Sequence, residues 1–148
     1  MCNATVLIID DSPLDRRVFL EAFERAGVKA IALADPTKAV EYALEHKPSF
    51  VVLDLVMPGM DGFQVCTALK SNEVTKDIPV IFVSGSDDPD NLSQSIHLGV
   101  VDYMPKPVSL DYLVSQVIKH DIVSGITQLM QPMKDEMRSF TEKYKDGI

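Results

Sequence analysis

The chain has 148 residues, 46% of them apolar and 24% charged, which is enough for one ordinary domain with a sizeable core and some chain to spare. The formal net charge is −8, and about −7 of it falls in residues 1–120, because residues 121–148 carry five acids against four bases; direct binding to nucleic acid or to an anionic membrane, which calls for a basic surface, is therefore disfavoured. No apolar run approaches the ~20 residues needed to cross a bilayer, the start lacks a basic segment followed by a long apolar one, and Cys2 and Cys66 form neither a paired framework nor a metal spacing, so a cytoplasmic protein with free thiols is expected.

Thr5 to Ile9 is a short apolar run without alternation, the pattern of a strand buried on both faces of a parallel sheet, and it ends in Asp10-Asp11. Ser12 is placed as an N-cap, with Pro13 at the first helical position and Asp15 three residues after the cap. Leu14, Val18, Phe19, Ala22, Phe23 and Ala26 continue at helical steps until Gly27 stops the helix. Lys29 to Leu33 is a second strand, and Asp35-Pro36 opens a second helix that Pro48 ends. Phe50 to Leu53 is a third buried strand with Asp54 at its tip, followed by a loop broken at Pro58-Gly59 and Asp61-Gly62 before a helix through Phe63, Val65, Cys66 and Leu69. A fourth strand spans Ile78 to Val83 and ends at Ser84-Gly85-Ser86. Asp88-Pro89 opens a helix marked by Leu92, Ile96 and Leu98, which Gly99 closes. A fifth strand, Val100 to Met104, runs into Pro105-Lys106-Pro107, and Ser109 caps a last helix.

Strands that alternate with helices in this way form an all-parallel sheet with helices on both faces. Right-handed crossovers leave the doubly wound, flavodoxin-like order 2-1-3-4-5 as the natural candidate. In that order Asp10, Asp11 and Asp54 converge in one crevice, with Ser84 and Lys106 on its other side. Three carboxylates in one pocket repel: two unit charges ~5 Å apart at an effective dielectric of ~20 cost roughly 3 kcal/mol. A hard divalent cation turns that repulsion into attraction, and Mg²⁺ suits a few carboxylates with several waters. With the metal and the Lys106 ammonium present, Asp54 can act as nucleophile toward a phosphoryl group, and the Ser84 hydroxyl can hydrogen-bond one of its oxygens.

On these residues the sequence resembles the receiver domain of bacterial two-component response regulators over about residues 4–120. The resemblance rests on Asp10-Asp11, on Asp54 with Met57-Pro58-Gly59-Met60-Asp61-Gly62, on Ser84-Gly85, and on Tyr103 with Lys106-Pro107. It implies that the acidic pair, Asp54 and the backbone carbonyl of Val56 hold Mg²⁺, and that Lys106 contacts the phosphoryl group. It also implies a cis peptide before Pro107 and a phosphoryl donor that is a sensor histidine kinase or a histidine phosphotransfer protein. Switching would draw the Ser84 hydroxyl inward, let Tyr103 rotate into the vacated space, and change the partners of the face made by helix 4, strand 5 and helix 5. Val56 and Ser86 would flank the phosphoryl group, and since Val56 cannot orient an attacking water, a long-lived aspartyl phosphate is expected.

The other readings are a phosphorylation-independent interaction module of the same fold, and a small phosphohydrolase with a covalent aspartate. Phosphohydrolases of the haloacid-dehalogenase type carry a second aspartate two residues after the nucleophile on strand 1, where this chain has Asp10-Asp11-Ser12-Pro13. The favoured reading is of a protein that catalyses only its own phosphorylation and dephosphorylation. His46, His97 and His120 share no ligand spacing.

Residues 121–148 exceed what the 1–120 domain needs. Ile122, Ile126, Leu129, Met133, Met137, Phe140 and Tyr144 recur at a mean step of 3.67, giving one narrow apolar stripe on a helical extension of the last helix. Gly125 and Pro132 predict that this helix is bent or broken near one of them. The stripe predicts a partner, most simply a homodimer through the C-terminal helix.

Overall fold

The computed structural model of the chain describes residues 4–144, and within them the side chains of 133–136 and 139–144 are outside the described set. Five strands, β1 (Thr5–Ile9), β2 (Lys29–Leu33), β3 (Phe50–Asp54), β4 (Val80–Ser84) and β5 (Asp102–Pro105), form one parallel sheet in the order β2-β1-β3-β4-β5. Five α-helices connect or follow them: α1 (Pro13–Arg25), α2 (Ala39–His46), α3 (Gly62–Lys70), α4 (Pro89–His97) and α5 (Leu110–Tyr144). This is the doubly wound, flavodoxin-like arrangement that the alternation predicts.

Two-sided burial explains why the central strands show no polar alternation. Leu7, Ile9, Val51, Leu53 and Phe82 point to one face, where they meet Ala43 of α2 and Val65 and Leu69 of α3. Val6, Ile8, Val52, Ile81 and Val83 point to the other, against Phe19 and Phe23 of α1 and Leu113 and Val117 of α5. Each such side chain contributes about 1.5–3 kcal/mol by leaving water. Cys66 sits in the first of these layers, where burial pushes its thiol pKa up; Cys2 lies outside the described residues.

The helix starts follow capping chemistry. Ser12 Oγ accepts from Asp15 N–H at 3.2 Å with Pro13 in the first turn. At α3, Asp61 and Gln64 cap each other reciprocally. Gly27 takes φ +76° after α1, a conformation that costs glycine nothing.

Five features differ from the sequence reading. Asp35-Pro36 opens a single 3-10 turn, Pro36–Lys38, before α2 begins at Ala39, because the Asp35 carboxylate accepts from both Thr37 N–H and Thr37 Oγ–H and closes a local turn. β4 begins at Val80 and β5 at Asp102, each two residues later than predicted. On α4, Leu92 and Ile96 are exposed, while Ser95 is the buried residue and satisfies its hydroxyl on the Asn91 carbonyl. The apolar pair of that helix therefore faces solvent rather than the core. Finally, α5 runs uninterrupted through Gly125 and Pro132, so it is not broken at either. A mid-helix proline removes one hydrogen bond, and the ladder on both sides carries the helix across it.

Candidate functional site

Parallel pairing brings the carboxyl ends of the strands level. Ile9 pairs with both Leu33 and Leu53, Asp54 with Val83, and Ser84 with Pro105. Residues that follow or end these strands therefore share one crevice, the position at which open α/β sheets bind ligands.

Asp10 is fully buried beyond β1. Its Oδ1 accepts from Ser12 N–H at 2.9 Å and its Oδ2 from Lys106 Nζ at 3.0 Å, while its carbonyl accepts from Arg16 Nη1 at 2.9 Å. Asp54 is 5% exposed at the end of β3, and its Oδ1 lies 3.4 Å from Val56 N–H. Asp11 is exposed at the rim. One carboxylate oxygen from each of Asp10, Asp11 and Asp54 lies within 4.8 Å of the other two. An all-oxygen cluster of this size fits a hard divalent cation.

Lys106 closes the opposite side. Its backbone N–H donates to the Ser84 carbonyl at 2.8 Å, and the following peptide to Pro107 is cis. Its ammonium reaches 3.6 Å from Asp54 Oδ2. Ser84 is buried, with Oγ accepting from Ser86 N–H at 3.1 Å. Tyr103 is half-buried against the α2/α3 side of the sheet and donates its hydroxyl to the Ser86 carbonyl at 3.1 Å. Val56 is 66% exposed at the mouth. The structure thus gathers Asp10, Asp11, Asp54, Lys106, Ser84, Val56 and Tyr103 at one end of the sheet.

The charges explain the protonation behaviour. Burial first, then the Asp10 charge, pushes the Asp54 carboxyl from 3.8 up to about 6, against the opposing pull of Lys106. Burial disfavours the Lys106 ammonium, yet hydrogen bonds to Asp15 and Asp10 and the charges of Asp10 and Asp54 outweigh it and raise its pKa. The cluster is an acidic pocket held together by one ammonium.

Sequence reasoning missed two members. Asp15, assigned only a capping role, lies 2.8 Å from Lys106 Nζ, and Arg16 holds the Asp10 backbone.

The family model described as response regulator receiver domain matches residues 6–118. Among relatives, the chain is 37% identical over 120 residues to a probable cyclic di-GMP phosphodiesterase of Vibrio cholerae, an alignment covering 81% of this chain and 27% of that protein. It is 32% identical over 114 residues to Protein PilH of Pseudomonas aeruginosa, covering 77% of this chain and 94% of PilH. The chain spans about half or less of several other relatives, which are named as transcriptional regulators. The solved receiver domain of the Francisella response regulator 1452 superposes with a TM-score of 0.75 at 26% identity, covering 82% of this chain and 99% of that one. With the fold, the strand-tip acids and the match over most of its length in agreement, this chain belongs to the response regulator receiver domain family.

Proposed function

We propose that this chain is a phosphorylation-controlled receiver in which Asp54 accepts a phosphoryl group from a phosphohistidine, carried by a sensor histidine kinase or a histidine phosphotransfer protein. The observation that carries the reading is the geometry around Asp54: two further carboxylates have oxygens within 4.8 Å of it, and an ammonium lies at 3.6 Å. Packing like charges together this closely has no structural benefit and has a clear chemical one.

An Asp54 carboxylate oxygen forms the O–P bond as the N–P bond of the donor breaks, and the leaving imidazole keeps the electron pair and takes a proton from solvent. Lys106 supplies positive charge to the oxygens of the transferring group, and the Ser84 hydroxyl turns from its present contact with Ser86 N–H to donate to one of them. Asp10, Asp11, Asp54 and the Val56 carbonyl would hold Mg²⁺. Bound there, the ion offsets the carboxylate charge so that an anionic donor can approach. Loss of the Ser84–Ser86 contact shifts the loop whose carbonyl Tyr103 holds, which links the site to the face formed by α4, β5 and α5. That face already exposes Leu92, Ile96, Val101 and Tyr112, a surface suited to partners that read the switch.

Residues 1–120 form the receiver in this reading and residues 121–148 a helical extension for dimerisation or linkage. The exposed Ile122, Ile126 and Leu129 support it. The side chains of Met133, Phe140 and Tyr144 lie outside the described residues. No helix among the described residues is long and apolar enough to cross a membrane.

The test is incubation with a small phosphodonor, with and without Mg²⁺, read by intact mass. Wild type gains one phosphoryl group only with Mg²⁺, and Asp54→Asn gains none; uptake by the Asn variant sinks the assignment.

A further inference from the structure

The ammonium that phosphoryl transfer to Asp54 requires has its tightest partner outside the phosphorylation cluster. Lys106 Nζ lies 2.8 Å from Asp15 Oδ2, 3.0 Å from Asp10 Oδ2 and 3.6 Å from Asp54 Oδ2, and only the first two are hydrogen bonds. Both ends of this arrangement are fixed. Asp15 sits in the first turn of α1 with its backbone N–H on Ser12 Oγ, and Lys106 is pinned by its own N–H to the Ser84 carbonyl. An ammonium has three donors; two are spent on Asp10 and Asp15.

We propose that Asp15 is a positioning residue that parks the Lys106 ammonium and so acts as a brake on phosphoryl transfer at Asp54. The proposal rests on the phosphoacceptor reading above. A phosphoryl group arriving at Asp54 competes with Asp15 for the Lys106 charge, because the ammonium stops 3.6 Å short of Asp54 Oδ2 and closing that gap draws it away from Asp15. The competition is a graded one. The Asp15 side chain is 36% exposed and that of Lys106 22%, so solvent weakens their pair and it can open without leaving a buried charge unpaired. Asp10 behaves differently: its side chain is 1% exposed, and its second oxygen is held by Ser12 N–H, so it stays with the site whether or not the lysine moves. Asp15 is therefore the partner that the ammonium gives up.

The test compares wild type, Asp15→Asn, Asp15→Glu, Lys106→Ala and the Asp15→Asn/Lys106→Ala pair as full chains, with phosphoramidate as donor at a Mg²⁺ concentration saturating for each. Asp15→Asn should be phosphorylated about fivefold faster or more, Asp15→Glu should return to within about twofold of wild type, and the gain should vanish when Lys106 is absent. Asp15→Ser, which also removes the carboxylate, serves if the Asn variant is poorly folded. In the metal-free protein, the Lys106 side-chain ¹⁵N signal, identified by its absence in Lys106→Ala, should move on Asp15→Asn. A rate at or below wild type, an equal gain without Lys106, or an unmoved ¹⁵N signal overturns the brake. Wild type that takes up no phosphoryl group overturns the phosphoacceptor reading itself, whereas phosphorylated wild type with an unaltered Asp15→Asn rate overturns the brake alone.

Discussion

The Asp54 carboxylate faces the Lys106 ammonium at 3.6 Å, close enough to feel its charge but too far to share a hydrogen bond, while the buried Asp10 carboxylate accepts from the same ammonium at 3.0 Å. One cation thus serves two buried acids. The deficit appears at Asp54, whose carboxyl is pushed from 3.8 up to about 6 by burial and by Asp10. Between those two pH values the folded chain binds more protons than the unfolded one, so unfolding free energy falls as pH rises, and above about 6 the penalty is complete. For a side chain 7% exposed, that penalty is about 3 kcal/mol at most. In EDTA, Asp54→Asn should therefore raise the urea midpoint at pH 7.5, with the difference closing by about pH 4. A gap that is constant across this range contradicts the electrostatic account.

Gly62 gives a second prediction. A Cβ built there overlaps the Asp54 carbonyl oxygen and comes to 2.8 Å from Leu55 Cα, both of them backbone atoms that cannot swing aside. The start of α3 is therefore seated directly on the strand end that carries the phosphoacceptor. Gly62→Ala should cost about 1–3 kcal/mol by overpacking, read as a lowered urea midpoint, and should slow phosphorylation because relief requires moving the Asp54 backbone. Gly59→Ala makes the contrast. Its φ of +85° is strained for alanine but its surroundings are open, so stability should fall with little change in phosphorylation per folded molecule.

The sheet was readable from the chain because its central strands are buried on both sides, which leaves unbroken runs such as Val51-Val52-Leu53 ending in an acid. Once the order is known, the level strand ends place Asp10, Asp54, Ser84 and Lys106 together without further information. What periodicity could not supply were facts about space. Leu92 and Ile96 have helical spacing, yet spacing does not say which side of α4 faces inward, and the small Ser95 took that side. Asp15 made sense as a cap, and nothing in the linear pattern says that its side chain meets a lysine arriving from β5. Pro132 carries a local cost, and a long helix sets that cost against every bond on either side.

The aspartyl phosphate should be long-lived. Val56 follows Asp54 by two residues, is 66% exposed at the mouth of the site, and offers a hydrocarbon surface where a polar side chain could hold an attacking water. Ser86 Oγ accepts from Asp88 N–H and from the Asn91 amide, which occupies both of its lone pairs and leaves none to accept from an attacking water, while its carbonyl accepts from the Tyr103 hydroxyl. Decay of the phosphorylated chain in Mg²⁺, followed by intact mass, should take many minutes or longer, and Val56→Gln should shorten it several-fold. Decay within seconds in wild type removes the argument.

The extension of α5 beyond the domain exposes apolar side chains. Ile122, Ile126 and Leu129 are 57%, 50% and 81% exposed, and they recur at steps of four and three on one side of the helix. Apolar side chains that line up on one helix and touch no core of their own chain are stabilised when a second helix covers them, and an identical helix presents an identical stripe. A parallel pair of α5 extensions places these residues against their counterparts. The mean step of 3.67 keeps the seam nearly straight or slightly right-handed, so contact can continue along the helix. Replacing Ile126 and Leu129 together by glutamate sets like charges across that seam. The double variant should run as a monomer in light scattering under conditions where wild type is a dimer. Its thermal midpoint at a concentration where both are monomeric should be unchanged, because neither side chain belongs to the two core layers around the sheet. A wild type that stays monomeric at high micromolar concentration, or a variant that remains dimeric, excludes this stripe as the interface.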